Sequence, residues 1–275
     1  MALWRLVRRC LRSLWVVNLA ACWLALREGR TKAGRYLHHL WTAYLWRHQL
    51  LPPVSVPLTL PRRPFTEVFP SVDLSRVELL YPLPRPGSVT FEELVVLACL
   101  VRHLRPKRLV EIGTAEGRTT LNFALHAPED AEIITLDLPP EQTGAPTLSR
   151  GPDYAQLNIS EPGVFFRHHP DIARKIRLVL ANSTTFDWTP YERSVDFVFL
   201  DGAHDYESVR KDSENALRIV RPGGVIVWHD YGNWDGVSRC LNELGEKLPI
   251  VWLEQTSLAC LKVEHDDAAQ DFRSL

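Results

Sequence analysis

Cysteine is scarce in this 275-residue chain: there are five, at Cys10, Cys22, Cys99, Cys240 and Cys260. They are odd in number, widely scattered and never paired as CxxC. A disulfide framework and a zinc knuckle are therefore excluded, and a reducing, cytoplasmic compartment is expected. Long apolar runs are also missing. The longest uncharged stretch, Leu14 to Leu26, has 13 residues and includes Asn18. A bilayer-spanning helix needs about 20, so no transmembrane segment is expected. The string Leu19-Ala20-Ala21-Cys22 has the look of a lipoprotein cleavage box. The segment from Leu14 to Asn18 before it is too short for a signal's apolar region. No GxGxxG is present, which weighs against a dinucleotide-binding oxidoreductase on a related sheet.

What is present begins with a charge asymmetry under a net charge of −1. Residues 1–50 carry nine Lys/Arg against Glu28 alone, whereas the rest of the chain is net acidic. An acidic body offers no groove for nucleic acid. Arg5, Arg8, Arg9 and Arg12 fall on one helical face, and Leu3, Leu6, Val7, Cys10, Leu11 and Leu14 supply an apolar one. Five of the nine tryptophans lie in the same segment. Such an arm either lies on a membrane surface or packs on the body or on a second subunit in a homo-oligomer. A second helix is expected near 35–50. Residues 51–87 then hold nine of the twenty prolines. This connector should be extended rather than helical, with Phe65, Val68, Phe69, Val72 and Leu74 to bury.

From residue 88 onward strands alternate with helices. Thr90-x-x-Glu93 is a capping box opening a helix to about Leu104. Strands are expected at 108–112, 132–136, 177–180, 195–200 and 225–228, with helices at 118–126, 206–220 and 236–247. Two more strands, 250–254 and 258–263, close the chain. The fold class is α/β: a Rossmann-like, doubly wound, seven-stranded sheet, mostly parallel with an antiparallel C-terminal hairpin, preceded by the helical arm. The expected divisions are the arm at 1–50, the connector at 51–87 and one domain at 88–275.

Ligands bind such sheets beyond the carboxyl ends of the strands. Polar residues gather there: Glu111 and Gly113, then Asp137, then Asn182-Ser183, then Asp201 and His204, then His229-Asp230. Glu111-Ile-Gly113-Thr-Ala-Glu-Gly117 brings backbone close to a ligand at a helix start. A carboxylate at Asp137 can accept both ribose hydroxyls of a nucleoside.

Glu-x-Gly-x-x-x-Gly, the acid after the next strand, and above all Asp-Gly-Ala-His-Asp-Tyr and Arg-Pro-Gly-Gly-Val-Ile-Val-Trp-His-Asp-Tyr resemble the class I S-adenosylmethionine-dependent methyltransferases. The likeness, over about 88–263, is to bacterial metal-dependent sugar O-methyltransferases and, more distantly, to catechol O-methyltransferase. It implies S-adenosyl-L-methionine as cofactor and a small hydroxylated acceptor, a sugar among them. Glu111, Gly113 and Gly117 would border the methionine part, Asp137 the ribose, Asn182 and Ser183 the adenine. The Asn182 carbonyl would accept from the adenine amino group. Asp201, His229 and Asp230 match the ligands of a divalent cation, Mg²⁺ or Mn²⁺. Histidine at 229 departs from the oxygen-rich pattern: either it is not a ligand, or the ion is Mn²⁺ or similar, or the metal site is lost. His204 stands where catechol-type enzymes carry a catalytic lysine and would serve as base. Asp205 is a natural helix cap beside it. A scaffold that binds cofactor without turnover is the remaining alternative. Neither Asn-Pro-Pro-Tyr nor a Pro-Cys nucleophile is present, so methylation of nucleic-acid bases is not expected.

Overall fold

The computed structural model describes residues 54–84, 87–139 and 161–264. The basic arm at 1–50, with both of its expected helices, lies outside the described residues, as does most of the segment between 138 and 170. No described helix is long and apolar enough to cross a membrane.

Eight strands form one sheet: β1 (Arg62–Arg63), β2 (Arg108–Ile112), β3 (Glu132–Asp137), β4 (Ile176–Leu180), β5 (Val195–Leu200), β6 (Val220–Trp228), β7 (Val251–Leu253) and β8 (Ala259–Lys262). Their spatial order is β1-β7-β8-β6-β5-β2-β3-β4. All neighbouring pairs are parallel except those of β8, which runs against both β6 and β7. The helices are α1 (Phe65–Val68), α2 (Phe91–Leu104), α3 (Arg118–His126), α4 (Pro170–Ala173), α5 (Tyr206–Ile219) and α6 (Asp235–Gly245).

The central strands are mostly apolar because helices cover both faces. Alternation along β2 sends Leu109 into the core under α2 and α3, and Val110 and Ile112 into the core under α5 and α6. Phe197 and Phe199 of β5 meet Phe123 of α3 edge to face. Three helices start at identifiable signals. Thr90 caps α2 with the full reciprocal box, and the Asp205 side chain accepts from Ser208 N–H at the start of α5. Gly117 in the left-handed region opens α3.

The connector departs from expectation in two ways. Two of its residues form β1, an eighth strand pairing with β7, where the sequence suggested seven. It also contains one helical turn, α1, directly after Pro64; proline at a helix start removes only an N–H that has no helical partner. Leu60 enters one core and Phe69 the other, so this segment straps the sheet edge. Leu74, expected to bury, is 48% exposed.

The chain fills one side of the sheet from β2 outward to β4, then returns to build β5 and β6 on the other side. The switch point lies between β2 and β5, and there the strand ends part to form a crevice.

Candidate active site

A cleft opens at this switch point. Gly113, Asp137, Asn182, Ser183 and His204 all line it. A smaller cavity adjoins it, sharing His204 and adding Asp201, His229 and Asp230. The strand ends thus bring eight of the ten expected residues to two connected spaces.

Glu111 and Gly117 lie outside both linings. Strand parity turns Glu111 toward α2 and α3, away from Ile112, which faces the cleft. Its Oε2 accepts from the hydroxyls of Thr120 and Thr135, and Oε1 is buried without a partner. Burial, with Asp201 and Asp137 nearby, pushes its carboxyl up to about 8. Through these hydrogen bonds Glu111 ties α3 to β2 and β3. Gly117 is needed for packing: a Cβ there would sit 2.6 Å from the Phe166 ring and 2.9 Å from Gly163. Gly163 and Phe165 donate to Ala115 and Glu116 carbonyls, which clamps the loop after β2.

Gly113 answers to the crevice itself. Its φ is +99°, and a Cβ would overlap the carbonyl oxygen of Asp201 across the switch point. Asp137 ends β3 and accepts from Ala115 N–H at 2.7 Å and Leu138 N–H at 2.8 Å. Its carboxylate lines the cleft.

Asn182 differs from its expected role. Its carbonyl already accepts from Thr184 N–H at 3.0 Å and from the Thr184 hydroxyl at 2.8 Å. A backbone N–H can only donate, so the oxygen is fixed there and the amide nitrogen is left to the cleft. Asp212, which no local pattern marks, also lies at this cleft. It is 4% exposed, lines both cavities, and its Oδ1 is buried without a partner. Burial pushes its carboxyl up to about 7, against a hydrogen bond from Ser183. It lies in the second turn of a polar-looking helix, and only α5's packing turns it inward.

The second cavity holds a dense charge cluster. One ligand atom each from Asp201, His229 and Asp230 falls within 4.8 Å of the others. His229 Nδ1 lies 3.0 Å from Asp201 Oδ1 and 3.4 Å from Asp230 Oδ2. Its Nε2 lies 3.1 Å from Glu93 Oε2. Burial would lower the imidazole, but the three carboxylates raise it well above its ordinary value. Burial likewise opposes ionisation of Asp230, yet His229 and His204 hold it well below the usual carboxylate range. Burial wins at Asp201, which is raised. Glu93, legible only as a helix cap, is the other residue missed. Burial pushes it up, and His229 with the Ser257 and Thr90 N–H groups brings it down to about 2.

His204 sits between the two spaces. Its Nε2 is 2.8 Å from Asp230 Oδ2, and its ring stacks on Trp234 at 4.7 Å and 9°. Burial lowers its pKa, but the Asp230 hydrogen bond and charge more than compensate and raise it. Asp230 itself has φ +68°, a strained conformation held by its N–H donating to Ser257 Oγ at 3.2 Å.

A Methyltransferase domain family model matches residues 110–231, a range that contains every strand-end residue named above. Catechol O-methyltransferase domain-containing protein 1 of Mus musculus is 29% identical over 199 residues, covering 70% of each chain. Flavonoid 3',5'-methyltransferase of Vitis vinifera is 27% identical over 54% of this chain, which spans 57% of that protein. Among solved structures, the O-methyltransferase TomG from Streptomyces achromogenes in complex with SAM is 16% identical. That likeness covers 73% of this chain and 86% of the other, with a TM-score of 0.48. Family model, curated relatives and strand-end residues agree: residues 110–231 match a methyltransferase domain, and the chain is similar to S-adenosylmethionine-dependent O-methyltransferases.

Proposed function

We propose that the protein methylates a hydroxyl of a small, polyhydroxylated acceptor such as a sugar, assisted by a divalent cation. The observation that carries this reading is the position of His204, tethered to Asp230 where the two cavities meet.

The cleft fits the cofactor. Gly113 keeps its floor open, Asp137 lines it at the end of β3, Ser183 and the Asn182 amide line the side assigned to adenine, and the Asp212 Oδ1 is buried without a partner. The second cavity fits an ion: two carboxylates and one imidazole converge, and the far nitrogen of His229 is anchored on Glu93. Asp201, His229 and Asp230 would hold it. When bound, the ion would stabilise negative charge on the acceptor oxygen, and the cofactor would supply an electrophilic methyl on sulfur.

The remaining work falls to the chain's own residues. With Nε2–H donated to Asp230, His204 presents Nδ1 as the free base. It takes the acceptor's hydroxyl proton as the oxygen forms its bond to the methyl carbon. The bound cofactor would supply that methyl and take back the electron pair of its C–S bond, which would leave a methyl ether and a thioether. Trp234 and Asp230 fix the ring, so the alignment is set before the acceptor arrives.

The free, buried Cys99, Cys240 and Cys260 suit a reducing compartment such as the cytoplasm. The basic face of the arm supports peripheral contact with an anionic membrane. Sedimentation with anionic liposomes that falls as salt rises would support that contact, and none at low salt would oppose it.

The test of the proposal is transfer of isotopically labelled methyl from S-adenosylmethionine to a panel of sugars, catechols and other hydroxylated acceptors. Labelled methyl ether that depends on His204 supports it. Cofactor binding without transfer to any acceptor favours the scaffold reading.

A further inference from the structure

We propose that Glu93 is a positioning residue that fixes the orientation of His229 and so makes the site select a nitrogen-accepting ion, Mn²⁺ ahead of Mg²⁺. This rests on the metal half of the function proposed above and adds to it both an ion class and a residue.

The argument begins with the donors around Glu93. Its side chain is 3% exposed. Oε1 accepts from Ser257 N–H and Ser257 Oγ–H, each at 2.7 Å. Oε2 accepts from Thr90 N–H at 2.9 Å and faces His229 Nε2 at 3.1 Å. Two of these partners are backbone N–H groups, which can only donate, so the carboxylate is anchored as an acceptor from two directions. His229 Nε2 therefore carries its hydrogen toward Glu93. The ring's other nitrogen, Nδ1, is then aimed at the gap between Asp201 Oδ1 and Asp230 Oδ2. Donor atoms bound at about 2.1 Å and at right angles lie about 3 Å apart. The spacings of 3.0 and 3.4 Å match that arrangement.

A ligating histidine normally donates its far N–H to a carboxylate, which sets tautomer and ring angle together. Here that carboxylate comes from the capping box of α2, 136 residues before His229. Ser257 closes the frame from the β7–β8 turn. Its hydroxyl donates to Glu93 and accepts from Asp230 N–H, so one small network holds both the imidazole and the left-handed backbone of Asp230. Mg²⁺ prefers oxygen donors and keeps its waters, whereas imidazole suits first-row transition ions. A site with one anchored imidazole among two carboxylates consequently favours the latter.

The experiment uses the full chain, titrated by calorimetry with MnCl₂ and separately with MgCl₂, and records the electron spin-echo modulation of bound Mn²⁺. Wild type should bind Mn²⁺ at least tenfold more tightly than Mg²⁺, with modulation from one directly bound imidazole nitrogen. Glu93→Gln should weaken Mn²⁺ about 10- to 100-fold, with Mg²⁺ affected less. Because Glu93 also caps α2, circular dichroism must show that this variant is folded. His229→Asn provides a second route: an oxygen replaces nitrogen, so the nitrogen modulation should vanish and the preference for Mn²⁺ should shrink at least tenfold. Unchanged Mn²⁺ affinity in folded Glu93→Gln would overturn the role of Glu93 while leaving the metal reading standing. Absence of nitrogen modulation in wild type, or an unaltered ion preference in His229→Asn, would overturn the ion class. Wild type that binds neither ion would overturn the metal reading together with this inference.

Discussion

His204 Nε2 and Asp230 Oδ2 lie 2.8 Å apart, and Trp234 covers the imidazole face at 4.7 Å. The carboxylate orients the base, and the indole denies it other rotamers. His204→Ala should lower turnover on the true acceptor by roughly 10²–10⁴, the range for a positioned base. Affinity for S-adenosylhomocysteine should change little. Full turnover in a steady-state assay of the variant would remove His204 from the chemistry.

Gly113 tests the crevice. Its positive φ and the overlap of any Cβ with the Asp201 carbonyl make two separate costs. Gly113→Ala should destabilise the fold by on the order of 3 kcal/mol, read from urea unfolding. A variant as stable as wild type would mean that the ends of β2 and β5 are not pressed together as described.

Glu111 gives a pH signature. Its carboxyl is pushed from 4.5 up to about 8 in the folded protein. Between those values the folded state keeps a proton that the unfolded chain has lost. Stability should thus fall as pH rises through this window, by about 1.4 kcal/mol per unit from this residue. Glu111→Gln removes the slope, so its stability relative to wild type should improve steadily from pH 5 to pH 8. A difference between the two proteins that does not vary with pH would contradict a neutral Glu111.

Much of the scaffold was legible in the sequence. The strands at 108–112 and 195–200 are short, mostly apolar runs bounded by turn residues, and the capping box at Thr90 and Glu93 marks its helix start. β1 was not legible, because Arg62–Arg63 has no apolar pattern and its place depends on backbone pairing with a strand near the far end of the chain. The strand-end rule gathered Asp137, Asp201, His204, His229 and Asp230, which line the two cavities. It also gathered Glu111, whose parity with Leu109 points it to the opposite face from Ile112. Glu93 and Asp212 escaped for the opposite reason: each sits inside a helix, and its partners come from distant segments. No local pattern marks such a residue.

Asp212 offers a chemical discrimination. Adenine's exocyclic amine is a donor, the Asn182 carbonyl is occupied by Thr184, and Asp212 Oδ1 is the buried acceptor without a partner. S-Inosylhomocysteine, which has an oxygen in place of that amine, should bind wild type about tenfold more weakly than S-adenosylhomocysteine. Asp212→Ala should bind the two with nearly equal affinity. Discrimination that survives the substitution would assign the amine to another acceptor.

The central claim is that the switch-point cleft holds the adenosyl group through Asp137, and calorimetric titration with S-adenosylhomocysteine tests it most directly. Wild type should bind with one-to-one stoichiometry. Folded Asp137→Ala should lose about ten- to a hundredfold in affinity, as expected when charge-assisted hydrogen bonds to ribose are removed. No binding to wild type, tighter binding of NADH, or an unchanged affinity in Asp137→Ala would contradict the account.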